Sequence, residues 1–163
     1  MVPKCLSQWD FQAAIQPNIQ IGDPLIPLEA IRDEGTSYHY IPRNLKAIPT
    51  KSILEALKRA CRSFGAKYHV GSVWITDASY RETKSKVRRF QADGVLRVDI
   101  ETSAVYSLAI YRKVRVGCIL IASDNLVTLT STKGLETPGL KRAVEKDAEI
   151  AVETIKILSE VRS

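Results

Sequence analysis

This chain has little of what builds metal centres or disulfide frameworks. Its 163 residues include three cysteines, Cys5, Cys61 and Cys118, and two histidines, His39 and His69. The cysteines are scattered, odd in number and form no C-x-x-C pair, so their spacing gives no structural zinc site and no disulfide pattern. Cys61 and Cys118 lie in apolar surroundings and read as small core residues. No run approaches the roughly 18 consecutive apolar residues of a membrane-spanning helix. The first residues lack a basic region followed by an apolar one, so no signal peptide is expected and the cytoplasm is the expected compartment. Internal repeats, low-complexity tracts and linkers are also missing, and the length suits one domain.

What is present is ordinary for a globular protein: 45% apolar and 26% charged residues. The net charge of +6 permits nucleic-acid binding without requiring it. The densest basic cluster, Lys84, Lys86, Arg88 and Arg89, reads as a solvated helix face, so nucleic acid is not an expected partner.

Strand patterns at residues 21–31, 68–75, 95–98 and 114–122 alternate with helical patterns at 50–64, 82–92, 101–112 and 138–161. The first helix is expected to carry a capping box, Ser52-x-x-Glu55, with Ile53, Leu57, Cys61 and Phe64 on one face. The third should turn Ala104, Leu108 and Tyr111 inward. The last has Thr137 as N-cap and Pro138 in its first turn, with Leu140, Val144, Ala148, Ala151, Ile155 and Leu158 as its core stripe. The near-continuous apolar run 114–122 implies a strand buried on both faces. This alternation predicts an α/β fold with a mixed, mostly parallel central sheet flanked by helices.

Three carboxylates fall at element ends within residues 94–125. Asp99 and Glu101 lie where a short apolar strand becomes a helix, and Asp124 follows the apolar run ending at Ala122. Ligands of open α/β sheets bind at the carboxyl ends of strands, beside helix starts. Acids at two such ends suggest a site that grips a polyol and protonates a leaving group. The bland alternatives are a first-turn glutamate favouring the helix dipole for Glu101 and a turn cluster for Ser123-Asp124-Asn125.

The segment VDIETSAVYSLA around these acids resembles the E-M-E-[ST/A]-A signature of the nucleoside phosphorylases, the family of purine nucleoside and uridine phosphorylases. IASDN resembles the family's S-D segment. Two further blocks agree in order: IGDPLIPLEAIRDEGTSYHY, residues 21–40, and HVGSVWITDASYRET, residues 69–83. The resemblance covers about residues 15–160, with residues 1–14 unmatched.

That resemblance implies a mixed sheet curling toward a barrel, oligomeric assembly, and phosphorolysis of a nucleoside to base and ribose 1-phosphate. Phosphate is then the co-substrate and no other cofactor is needed; a positive net charge suits such substrates. Glu101 takes the position of the ribose-binding glutamate, accepting from the 2′ and 3′ hydroxyls. Asp99, expected to face the ribose with Glu101, stands where the family usually has glutamate, and Ile100 where it has methionine beside the ribose. Asp124 matches the aspartate that purine-specific members use near N7 as an acid, a role that needs a pKa raised by burial. Thr76, Asp77, Tyr80, Arg81 and Glu82 belong to the block bordering the base, with Ser79 in place of a stacking aromatic. Arg81 or Glu82 reads a pyrimidine edge, or the two simply open a helix; both readings stand. Arg32, Asp33 and His39 lie on a loop near subunit contacts or the pocket.

The family's phosphate loop and phosphate-binding arginines belong to a third of chain preceding residue 21, and no residue here matches them. Impaired turnover is therefore expected, as is an uncovered sheet edge open to self-association. The alternative expectation is a non-catalytic paralogue that binds nucleoside weakly or serves as a subunit of a larger assembly. The base stays open between uridine and purine, with a lean toward the uridine type.

Overall fold

The computed structural model describes residues 4–8, 13–127, 132–133 and 137–160. The elements run β1 (Lys4–Gln8), β2 (Ala13–Ala14), β3 (Pro24–Asp33), α1 (Lys51–Ser63), β4 (His69–Thr76), α2 (Lys84–Ala92), β5 (Val98–Asp99), α3 (Thr102–Arg112), β6 (Val116–Ile121), β7 (Asp124–Asn125), β8 (Thr132–Lys133) and α4 (Pro138–Glu160). Five strands form one sheet in the order β1-β6-β3-β4-β5, and β2-β7-β8 form a second. Within the first, β3, β4 and β5 are parallel, β6 meets β3 antiparallel at its end, and β1 lies parallel to β6. The sheet is thus mixed and mostly parallel with helices against it, as the alternation of patterns predicts.

Strand β6 is buried along its whole length and alternates between two cores. Val116, Cys118 and Leu120 point into a cluster with Leu25, Val73, Ile75, Tyr106 and Ala109 under α3. Ile119 points the other way, into a cluster with Ile26, Ile53, Leu57, Cys61, Ile150 and Leu158 under α1 and α4. A third cluster packs Val87 and Phe90 of α2 on Trp74, with the two rings stacked at 4.6 Å. Gly117 lets α1 lie against β6, since a Cβ there would sit 2.5 Å from Ile53 Cγ2. A bulge between Pro27 and Glu29 bends β3, and the freed Pro27 carbonyl accepts from the Tyr106 hydroxyl at 3.1 Å.

Four expectations change. Helix α1 is capped at Thr50 and not through Ser52 and Glu55. The Thr50 hydroxyl instead accepts from the Val116 amide at 3.0 Å, and Glu55 pairs with Lys58. The second helix starts two residues later than expected, because Ser79–Arg81 is a 3-10 turn and Thr83 caps α2 by accepting from Lys86. Helix α3 buries Thr102, Ser103, Tyr106, Ser107 and Ala109, and leaves Leu108 40% and Tyr111 60% exposed. Its polar face is the inward one because the sheet side offers polar partners, the Pro27 carbonyl and the Glu34 carboxylate. Helix α4 buries Asp147, Ile150, Thr154, Ile157 and Leu158, while Ile155 is exposed. Apolar residues at helical spacing occur on more than one stripe of α4, and packing against α1 selects the stripe that carries Asp147. The expected helix end at residue 161, and residues 1–3 and 9–12 of the unmatched segment, lie outside the described residues. Residues 4–8 of that segment form the strand beside β6.

Candidate functional site

Parallel strands end together, and the turns that follow them are joined side by side. Asp33 pairs in register with Thr76, and Ile75 with Asp99, so the carboxyl ends of β3, β4 and β5 form one rim. The turn after β3 is tied to its neighbours by two acids. Glu34, buried, accepts from the Ser103 hydroxyl at 2.8 Å and from the Ser37 amide at 2.9 Å. Asp77 accepts from the Gly35 amide at 2.9 Å. Arg32 holds the loop from inside, donating to the Ser37 hydroxyl and to the carbonyls of Ile41, Pro42 and Leu45. These bonds tie the loop to the strand ends and satisfy much of its polar backbone.

Asp99 is 1% exposed. Its Oδ2 accepts from the Thr102 amide at 2.9 Å, closing the first turn of α3. Its Oδ1 has no hydrogen-bond partner among the described residues and faces the Arg97 guanidinium at 3.7 Å. Arg97, also 1% exposed, lies two residues back on the same strand face and donates to the Ile121 carbonyl at 2.7 Å. Asp99 is thus held as a fixed part of the rim. Ile100 and Glu101 follow it on the outside, Ile100 at 40% exposure and Glu101 exposed at the N-cap position of α3. Of the two acids in this segment, Glu101 is the one solvent reaches, at a helix start where partial positive charge favours it.

Asp124 reaches the same neighbourhood through the second sheet. Ala13 pairs with Asp124 and Ala14 with Asn125, while Ala14 bridges Arg97 on its other side. Two strand spacings, about 10 Å, therefore separate the Arg97 backbone from that of Asn125. Asp124 is buried and Ser123 beside it is too.

The β4 turn divides. Thr76 is buried at the strand end and its hydroxyl accepts from the Ala78 amide at 3.3 Å. Tyr80 is fully exposed and Arg81 is exposed with it. Burial raises the pKa of Glu82. Asp33 shifts the other way: burial would raise it, but hydrogen bonds from Lys86 and Trp74 outweigh burial and lower it. Among the described residues, no cluster of three or more His, Cys, Asp or Glu has the geometry of a metal site.

Sequence reasoning did not single out Arg97, Glu34 or Ser103. Arg97 carried a usable signal: an arginine inside a buried strand needs an acid, and Asp99 is its neighbour on that face. Glu34 and Ser103 lie 69 residues apart, and no local pattern couples them.

A family model described as "Phosphorylase superfamily" matches residues 13–160. Uridine phosphorylase of Thermococcus kodakarensis is 32% identical over 90% of this chain and 55% of its own length. Guanosine phosphorylase of Halorubrum lacusprofundi is 30% identical over 70% of this chain and 47% of its own. Uridine phosphorylase of Escherichia coli is 26% identical over 89% of this chain and 62% of its own. The chain spans about half the length of the curated relatives it matches. The crystal structure of AMP nucleosidase from Bacteroides thetaiotaomicron has the same fold, with a TM-score of 0.77 at 23% identity over 98% of this chain and 63% of that one.

Proposed function

This chain belongs to the phosphorylase superfamily, and we propose on that premise that it acts on a nucleoside, cleaving uridine or a purine nucleoside with phosphate to give base and ribose 1-phosphate. The observation that carries the proposal is the contrast between two acids two residues apart: Asp99 locked under the rim, Glu101 presented outside it at the start of α3. In this reading Glu101 accepts from the ribose 2′ and 3′ hydroxyls, and Ile100 lies against the sugar. Asp124, buried at the neighbouring strand end, serves as the donor to a purine base as it leaves. Thr76, Tyr80 and Arg81 border the base. Phosphate is the nucleophile, so the protein need supply no covalent partner. Assembly into a homo-oligomer belongs to the same proposal.

A binding-only role is the second reading. It is favoured because phosphate clamps commonly contribute several kcal/mol to barrier reduction and no described residue is assigned to them. Phosphate-dependent base release from uridine, inosine and guanosine separates the two. Slow, phosphate-dependent release is expected; nucleoside binding without release supports the second reading. Calorimetry with uridine and inosine tests Glu101. Hydrogen bonds to a charged acceptor contribute about 1.5–3 kcal/mol, so Glu101→Gln should weaken binding about tenfold or more, and more than Asp124→Asn does. Equal affinity of Glu101→Gln and wild type would remove Glu101 from the site.

A further inference from the structure

On the far side of the first sheet from α3, a cleft of about 240 Å³ opens between the entry to β3 and the first turns of α4. Gly22 and Asp23 form one wall, Lys67 of the α1–β4 turn another, and Arg142, Lys146 and Asp147 of α4 the third. Gly22 has φ of +92° and approaches α4 so closely that a Cβ would lie 3.3 Å from that of Ala143. Asp23 is already engaged, accepting from the Gln20 amide and paired with His69 at 2.8 Å and with Lys67 at 3.3 Å.

Asp147 is not engaged. It is 1% exposed, lines the cleft, and neither carboxylate oxygen has a hydrogen-bond partner among the described residues. An orphaned buried carboxylate is costly, and an apolar residue on this stripe of α4 would avoid that cost. Arg142 and Lys146 stand one turn apart at the mouth, both exposed and in no salt bridge among the described residues. The cleft therefore offers hydrogen-bond acceptors at its floor and positive charge at its mouth.

We propose that this cleft binds a small hydroxylated anion, of the size and kind of a pentose phosphate or a sugar acid, with Asp147 accepting from its hydroxyls and Arg142 and Lys146 pairing with its phosphate or carboxylate. Hydroxyl donors supply the partners the carboxylate lacks. The anionic group accounts for the unpaired cations. The site shares no residue with the rim at the carboxyl ends of β3, β4 and β5, and it stands whether or not that rim works on nucleosides.

Calorimetric titration of the full chain with ribose 5-phosphate and with sodium gluconate tests it, with ribose and inorganic phosphate as partial ligands. One or both complete probes should bind at least tenfold more tightly than either partial one, and which of them does so identifies the anionic group. Asp147→Asn and Asp147→Leu should each lose at least tenfold in affinity. Asp147→Leu, relieved of a buried charge, should melt at a higher temperature than the unliganded wild type. Arg142→Ala with Lys146→Ala should weaken binding and flatten its salt dependence. Glu101→Gln should leave this binding unchanged, whatever it does to nucleosides. Failure of both complete probes to bind, equal binding of inorganic phosphate, or undiminished binding by Asp147→Asn would overturn the proposal.

Discussion

At the scale of single residues, the buried acids differ in how the fold treats them. Burial pushes Asp147 up to about 7, with Lys146 pulling the other way. The groups facing it are Cys61 on α1, Lys146 and Arg142 on α4, Lys67 on the α1–β4 turn, and Asp23 with its partner His69 at the start of β3 and β4. Its folded pKa lies above the unfolded value near 3.8, so the folded state binds the proton more tightly. That stability is fully present below about pH 4 and is lost as pH rises to about 7. The full difference is roughly 4 kcal/mol. Asp23 and Asp33 run the opposite way: burial opposes their charge, but hydrogen bonds and cations outweigh it, and their stabilisation fades as pH falls through the acid range. Melting temperature followed from pH 4.5 to 8 should therefore decline through that window in the wild type. Asp147→Asn should flatten the decline. An unchanged slope in that variant would show that another group titrates.

At the scale of elements, α1 approaches β6 closely at Gly117. Placing a methyl on Gly117 brings it within 2.5 Å of Ile53 Cγ2 and 3.3 Å of Leu57 Cδ1. Overpacking of this kind costs about 1–3 kcal/mol. Gly117→Ala should lower the urea midpoint without changing the slope of the transition, and Ile53→Ala, which removes the clashing Cγ2, should cost less in the Gly117→Ala background than in the wild type. The same helices mark how far sequence reading reaches. The face of α1 was legible for Ile53, Leu57 and Cys61, its dominant apolar stripe, but not for Phe64, which stands exposed at the C-cap. The faces of α3 and α4 were not, because each helix has apolar residues on two sides and only the partner surface chooses between them. On α3 that surface is polar, and it draws in Ser103 and Tyr106 over Leu108 and Tyr111. At the rim, Asp99 and Glu101 stood out by motif and strand-end position. Their division into one locked and one exposed acid depends on Arg97 and the Thr102 amide, which spacing alone does not reveal.

At the scale of the whole molecule, β1 is the outermost described strand at one side of the first sheet, while Ala14 bridges Arg97 next to β5 at the other. An unpaired strand edge is a template for a second chain, and α3 adds exposed Leu108, Ile110 and Tyr111. Light scattering behind size exclusion should give a mass above that of one chain, increasing with loading concentration. A single-chain mass across the range would mean that neither edge nor helix face recruits another copy.

The place of β1 also sets an order of events for a newly made polypeptide. Lys4 lies opposite Val116 and Gln8 opposite Leu120, so β1 is made more than a hundred residues before its neighbour. Closing so long a loop is entropically unfavourable until other contacts shorten it, and pairings this distant slow folding. The β3–α1–β4 unit, whose strands pair across one helical crossover, has no such wait. During synthesis β1 should remain open to chaperones and to other nascent chains until β6 is made, and it should be among the last strands to become protected.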